Sequence, residues 1–318
     1  MIPIERLRTA VSAIVWNEFR ERARAPWRIV LPLIPLFAVA GAVGAVLVDR
    51  VSVPVLIFLM QLTLAVTAVA VFAVSTRYLD RRRSVREYGL RTDRRWAIDL
   101  LAGIGVGIAA VAVPSLAGIV TGWYEVSAVL SPGLLGLWVG LALIVAAYLC
   151  TGFWEELVFR GVLTANAAEG LRGRLSARHA IAGALVLQAL VFGVAHVDQW
   201  TAQAPHPAFV LTWMLSGVVF GILYLLSDDL ALPIGVHAAI NAAEAGLFSE
   251  TAPAESGVSV IVLIEPVSGS VLFGHGGIMM VSRVLTAGLL GVLWLRYSRE
   301  SDLDPWSHPA IFVDDARE

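Results

Sequence analysis

The chain has no lysine, one cysteine, and charge on only 15% of its 318 residues. A lone Cys150 excludes an internal disulfide and a thiolate metal cluster, and within its apolar run it reads as a packed small side chain. The shortage of charge excludes a water-facing exterior. With 58% apolar residues and a mean hydropathy of +0.78, the surface of a chain this long has to meet lipid. No apolar stretch in residues 1–26 is long enough for the core of a cleavable signal, so none is expected there. A net charge of −2 points to no nucleic-acid partner, and none is expected.

What is present is a succession of apolar runs at about 27–48, 53–75, 97–120, 134–157, 180–197, 208–226, 231–248 and 277–295. Each is close to the ~20 residues a helix needs to cross the hydrocarbon core. All 23 basic residues are arginine, and 21 of them fall on one side of the eight runs. Arg50 lies in a loop on the other side and Arg283 inside the last run. Short arginine-rich loops stay cytoplasmic, which predicts an all-α, polytopic integral membrane protein of about eight helices with both termini cytoplasmic, in the cell membrane. Residues 1–26 form a cytoplasmic N-terminal segment, 27–296 the transmembrane domain and 297–318 a polar tail. Residues 7–22 fit a helix lying on the membrane surface, and equally a simple positive topology signal. The outer segment 249–276 is the longest irregular stretch, suited to a small hairpin or a re-entrant loop. The pairs Gly103/Gly107, Gly136/Gly140 and Gly217/Gly221 have the spacing of close helix packing.

Ionisable groups in hydrocarbon cost about 2.5–3.5 kcal/mol each, so those inside the later runs need a reason. The first group is Glu155-Glu156 followed by Arg160. On a helix Glu156 and Arg160 face each other, while Glu155 is turned about 100° away and lacks that partner. A carboxylate buried without a partner gains the pKa of a general base, although the same residues fit an interfacial charge cluster. The second group is Gln188, Phe192 and His196, one face of a helix; a histidine there also fits a hydrogen-bonded core residue. The third is His237, Asn241 and Glu244 along one stripe of an Ala/Ile/Leu helix. Such a stripe lines a polar cavity or forms a helix–helix hydrogen-bond seam.

In order, these residues read Glu-Glu-x-x-x-Arg (Glu155, Glu156, Arg160), Phe-x-x-x-His (Phe192, His196) and His-x-x-x-Asn (His237, Asn241). The pattern resembles the CAAX protease and bacteriocin-processing family of intramembrane proteases over about 130–250. The resemblance implies an intramembrane glutamic-type endopeptidase, with peptides or membrane proteins in the bilayer as substrates. Eukaryotic relatives are named for prenylated C-terminal tails; bacterial members are linked to peptide maturation, immunity or membrane-protein turnover. It implies Glu155 as general base, His196 helping to activate a water, and His237 with Asn241 donating to the oxyanion. Glu156 and Arg160 would hold Glu155 in place, and no cofactor is expected. The rival arrangement makes His196, His237 and Glu155 zinc ligands with one open position. A non-catalytic immunity or scaffold protein, or a transporter using the same polar residues, are the readings from other classes. By a plain count along the runs, His196 lies near an outer end while Glu155 and His237 lie near inner ends. One shared site therefore requires broken or tilted helices, or span ends other than these, with Gly152, Gly161 and Gly193 as candidate break points.

Overall fold

The computed structural model describes residues 14–18, 20–81, 83–197, 207–267, 277–299 and 303–306. Most of the polar tail and the Gly-rich end of the outer segment lie outside them, as do residues 7–13 of the expected surface helix; its described second half, from Trp16 on, is not a helix but a short antiparallel hairpin of Trp16–Asn17 with Arg22–Ala23. Among the described residues, eight helices of 12 residues or more follow the order of the apolar runs. They are α1 Ala25–Leu47, α2 Val53–Ser75, α3 Arg94–Val120, α4 Leu137–Arg172, α5 Ala177–Ala195, α6 Pro207–Ser227, α7 Ala231–Ala242 and α8 Ile278–Ser298. Lipid offers no hydrogen-bond partner, so a spanning backbone satisfies its own groups, which a helix does. Prolines open α1 and α2, where a missing N–H has no consequence, and the Asp93 and Ser176 side chains cap α3 and α5.

Seven of these helices are long and apolar enough to cross a membrane; α7 is not. Its 12 residues, extended by a π-helical turn Ala243–Leu247, are enclosed by the others, and every residue from Ala231 to Ile240 is buried. A helix enclosed by protein has no bilayer thickness to match. It can therefore be short and carry polar side chains that face neighbouring helices.

Glycine allows that enclosure. A Cβ at Gly107 of α3 would stand 2.6 Å from the Val236 carbonyl oxygen, and one at Gly235 of α7 would collide with the Leu100 carbonyl. The Gly103/Gly107 pair thus packs α3 against α7, and Gly217/Gly221 pack α6 against α5. Gly140 instead makes room for Ser259 of the outer segment. Gly107→Leu is expected to force α3 off α7, lowering the melting temperature in detergent by the equivalent of at least about 1–3 kcal/mol. Gly105→Leu, where a Cβ meets nothing, is the neutral control.

Three expectations need correction. The fourth run does not end at 157: α4 continues through a buried π-helical stretch, Leu157–Thr164, to Arg172. Arg160, counted by sequence with the cytoplasmic loop, is fully buried inside it. Gly152, Gly161 and Gly193 are not breaks but close contacts, to α7, Tyr88 and Met214 respectively. Among its described residues the outer segment forms no hairpin of its own either. Besides a short pairing of β1 (Trp16–Asn17) with β2 (Arg22–Ala23), the structure holds a three-stranded sheet. Its middle strand β5 (Val260–Pro266) pairs antiparallel with β3 (Tyr124–Ser131), from the α3–α4 connection, and parallel with β4 (Phe248–Ser249).

The turn between α6 and α7 sets the height of α7. The Leu230 N–H donates to the Gly89 carbonyl (3.1 Å), and Gly89 takes φ 111° with no room for a Cβ beside Leu230. Asp229 in this turn accepts from the Ala231 N–H (2.8 Å) and is 2% exposed. Burial pushes its carboxyl up to about 6 from 3.8. The neutral acid is therefore favoured by folding: the penalty is absent below about pH 4 and complete above about pH 6. Asp229→Asn, which keeps the acceptor, is expected to stabilise the protein at pH 7.5 by up to about 3 kcal/mol. At pH 4 it should leave the melting temperature unchanged, and thermal scans of both proteins across this range check the sign.

Candidate active site

The α4–α5 hairpin removes the depth conflict. Glu155 precedes the end of α4 by 17 residues and His196 follows the start of α5 by 19. At 1.5 Å per residue both stand about 26–28 Å from the connection 173–176, and so at one level. α7 starts beside Gly89, next to the Tyr88 that packs on Gly161. His237 and Glu155 are each six residues from that level, about 9 Å. Antiparallel helices of unequal length therefore bring all three groups together.

The Glu155 Oε2 atom lies 4.0 Å from His196 Nε2 and 3.8 Å from His237 Nε2. Both distances exceed a direct hydrogen bond, and among the described residues this buried oxygen has no hydrogen-bond partner. Glu156 by contrast is paired, through one of its two oxygens; its Oε2 has no hydrogen-bond partner among the described residues. Its Oε1 accepts from Arg160 Nη1 (3.0 Å) and from His237 Nδ1 (2.7 Å), with both Glu156 and Arg160 completely buried. The pair thus reaches His237 rather than Glu155. His196 donates from Nδ1 to the Phe192 carbonyl (2.7 Å), one turn back.

These bonds fix the tautomers. A carboxylate and a carbonyl only accept, so the Nδ1 of each histidine carries a proton. Each Nε2 then turns a lone pair toward Glu155 when the ring is neutral, and an N–H when it is charged. Asn241 stands one turn past His237 on α7, half-buried, with no hydrogen bond to the other four groups among the described residues. Glu244, expected on the same stripe, lies in the π turn and pairs with Arg283 of α8 (3.1 Å), which explains the arginine inside the last span.

Aromatic rings form the rest of the shell. Phe192 is 4.3 Å from the Arg160 guanidinium and 4.5 Å from the His196 ring, which gives the phenylalanine of Phe-x-x-x-His a physical task. Trp213 stacks on His196 at 4.1 Å and 14°, and Phe220 on His237 at 5.1 Å and 28°. Sequence reasoning passed over both. Their seven-residue spacing, two turns of α6, was the available signal.

A metal needs donors that converge. Zinc ligands at about 2.0–2.1 Å in a tetrahedron lie near 3.3 Å apart. The Glu155, His196 and His237 donors are wider than that, and no group of three such side chains with metal-site spacing occurs among the described residues.

Residues 136–243, from the start of α4 to the π turn of α7, match the family described as type II CAAX prenyl endopeptidase Rce1-like. This is the family that the three motifs resemble, and the matched segment contains all of them. No curated protein and no solved structure matches the chain.

Proposed function

With residues 136–243 as a segment of the Rce1-like family for its premise, we propose that this integral membrane protein is an intramembrane endopeptidase. It hydrolyses a peptide bond with a water activated by Glu155. The observation that carries the reading is the unpartnered Glu155 Oε2, faced by two imidazole Nε2 atoms at 3.8 and 4.0 Å from two other helices. A water seated among these three atoms is within hydrogen-bonding reach of each. Glu155 takes its proton as the oxygen attacks the scissile carbonyl and passes that proton to the amide nitrogen as the C–N bond breaks and the amine leaves; His196 orients the water. His237, its Nδ1–H held by Glu156, donates from Nε2 when its ring carries both protons. It thereby stabilises the oxyanion, and Asn241, one turn further, supplies a second donor. One such donor contributes about 10²–10³ in rate.

On this reading the catalyst is metal-free, with the substrate a peptide or membrane-protein tail, prenylated or not, and both termini cytoplasmic. The test is cleavage of prenylated and unmodified peptide libraries by purified protein in liposomes, with and without chelator. Cleavage that persists in chelator and falls about 10²–10³-fold in His237→Ala supports the proposal. Activity abolished by chelator and restored by zinc would replace the water-activating glutamate with a metal site.

A further inference from the structure

The two histidines of the site are not held equally. His237 lies within the enclosed helix α7, and its Nδ1 is fixed by Glu156 (2.7 Å), which Arg160 fixes in turn. His196 stands just past the last turn of α5, at φ −104° and ψ 16°, where the helix no longer sets the backbone. Its one hydrogen bond among the described residues runs to the Phe192 carbonyl, and the Phe192 ring beside it, at 4.5 Å and 50°, belongs to the same helix. The outer torsion of a histidine is soft, so a ring tied through Nδ1 alone can swing and carry Nε2 away from Glu155.

The ring contact from another helix is Trp213 of α6. Its indole lies 4.1 Å from the His196 ring at 14°, nearly parallel, whereas Phe220 meets His237 further off and more tilted, at 5.1 Å and 28°. Glycines build the stack. A Cβ on Gly193 would stand 2.5 Å from Met214 Cγ, one on Gly217 2.8 Å from Ala189 Cα, and one on Gly221 2.8 Å from Gln188 Nε2. These close approaches run in antiparallel order and fix the register of α6 on α5. The Gln188 amide strengthens it by donating to the Gly217 carbonyl (2.7 Å). In that register Trp213 falls beside His196.

We propose that Trp213 is a positioning residue for water activation: its indole face holds the His196 imidazole in the plane that aims Nε2 at Glu155 Oε2 and at the water between them. This rests on the reading of Glu155 and His196 as the groups that activate and orient that water. Trp213 acts through His196 and takes no proton itself, because an indole N–H only donates. Misplacing a catalytic group by about 1 Å costs up to about 10² in rate. Substrate contacts are left alone, so the effect belongs in kcat rather than KM.

Cleavage kinetics of the full chain in liposomes test this with Trp213→Leu, which removes the ring face, and Trp213→Phe, which keeps one. Trp213→Leu is expected to lower kcat about tenfold with KM unchanged, and Trp213→Phe to recover most of the loss. In a His196→Ala background Trp213→Leu should cost nothing further. An unchanged kcat, equal losses in the Leu and Phe variants, or the same tenfold loss without His196 overturns the proposal. A second readout needs no activity and so separates this proposal from the protease reading. Protons above an indole face resonate upfield, so among the six histidines the His196 ring protons should move downfield in Trp213→Leu by NMR. Should wild type cut no peptide, the protease reading fails while this shift still decides the stack; a His196 resonance that does not move overturns the proposal.

Discussion

Glu155→Gln is expected to abolish peptide cleavage, with kcat reduced by about 10²–10⁴ and the melting temperature unchanged or slightly raised. The amide keeps the size of the carboxylate but cannot take a proton from water. It breaks no pairing, because Glu155 Oε2 accepts no hydrogen bond among the described residues. Cleavage kinetics and thermal unfolding on one preparation separate the two effects. A stability loss matching the activity loss would make Glu155 a packing residue.

The neighbouring glutamate should behave in the opposite way. Glu156→Ala leaves the Arg160 guanidinium, completely buried, without its acid, and removes the acceptor that holds His237 Nδ1. Stranding a buried charge in this way costs about 3–5 kcal/mol. Part of the guanidinium is already served by aromatic faces, Phe192 at 4.3 Å and Phe220 at 5.3 Å, which cannot replace a carboxylate. Glu156→Gln/Arg160→Met removes both charges and is expected to recover much of the stability but little activity, because His237 still lacks its anionic partner. Thermal unfolding of the single and double variants measures the coupling. Equal stabilities would show that the buried pair contributes nothing.

The i, i+4 spacings made the site legible wherever chemistry and helix periodicity coincide. Glu156 with Arg160, Phe192 with His196 and His237 with Asn241 were all recognisable as helix-face pairs, and the structure brings Glu155, Glu156, His196 and His237 together. Depth was not legible. Hydropathy falls at Arg160, which marks the end of a span when an arginine faces water; here the arginine is buried under aromatic rings and α4 runs on to Arg172. The bond from His237 to Glu156 joins residues 81 apart, and periodicity within one helix carries no information about it. The β3–β5 pairing is hidden for the same reason, since it links the α3–α4 connection to a segment more than 120 residues later. Glu244 looked like a member of the site because a uniform α-helix keeps it on the His237 stripe. The π turn at Ala243–Leu247 breaks that register, and Glu244 meets Arg283 instead.

The central claim is that one carboxylate oxygen, Glu155 Oε2, activates the water that cuts the peptide. Mass-spectrometric detection of products from a membrane-tethered tail peptide, incubated in chelator with wild type or Glu155→Gln in the same nanodiscs, tests it most directly. Hydrolysis by wild type with none above background for Glu155→Gln is the predicted result; equal product from the two proteins would contradict it.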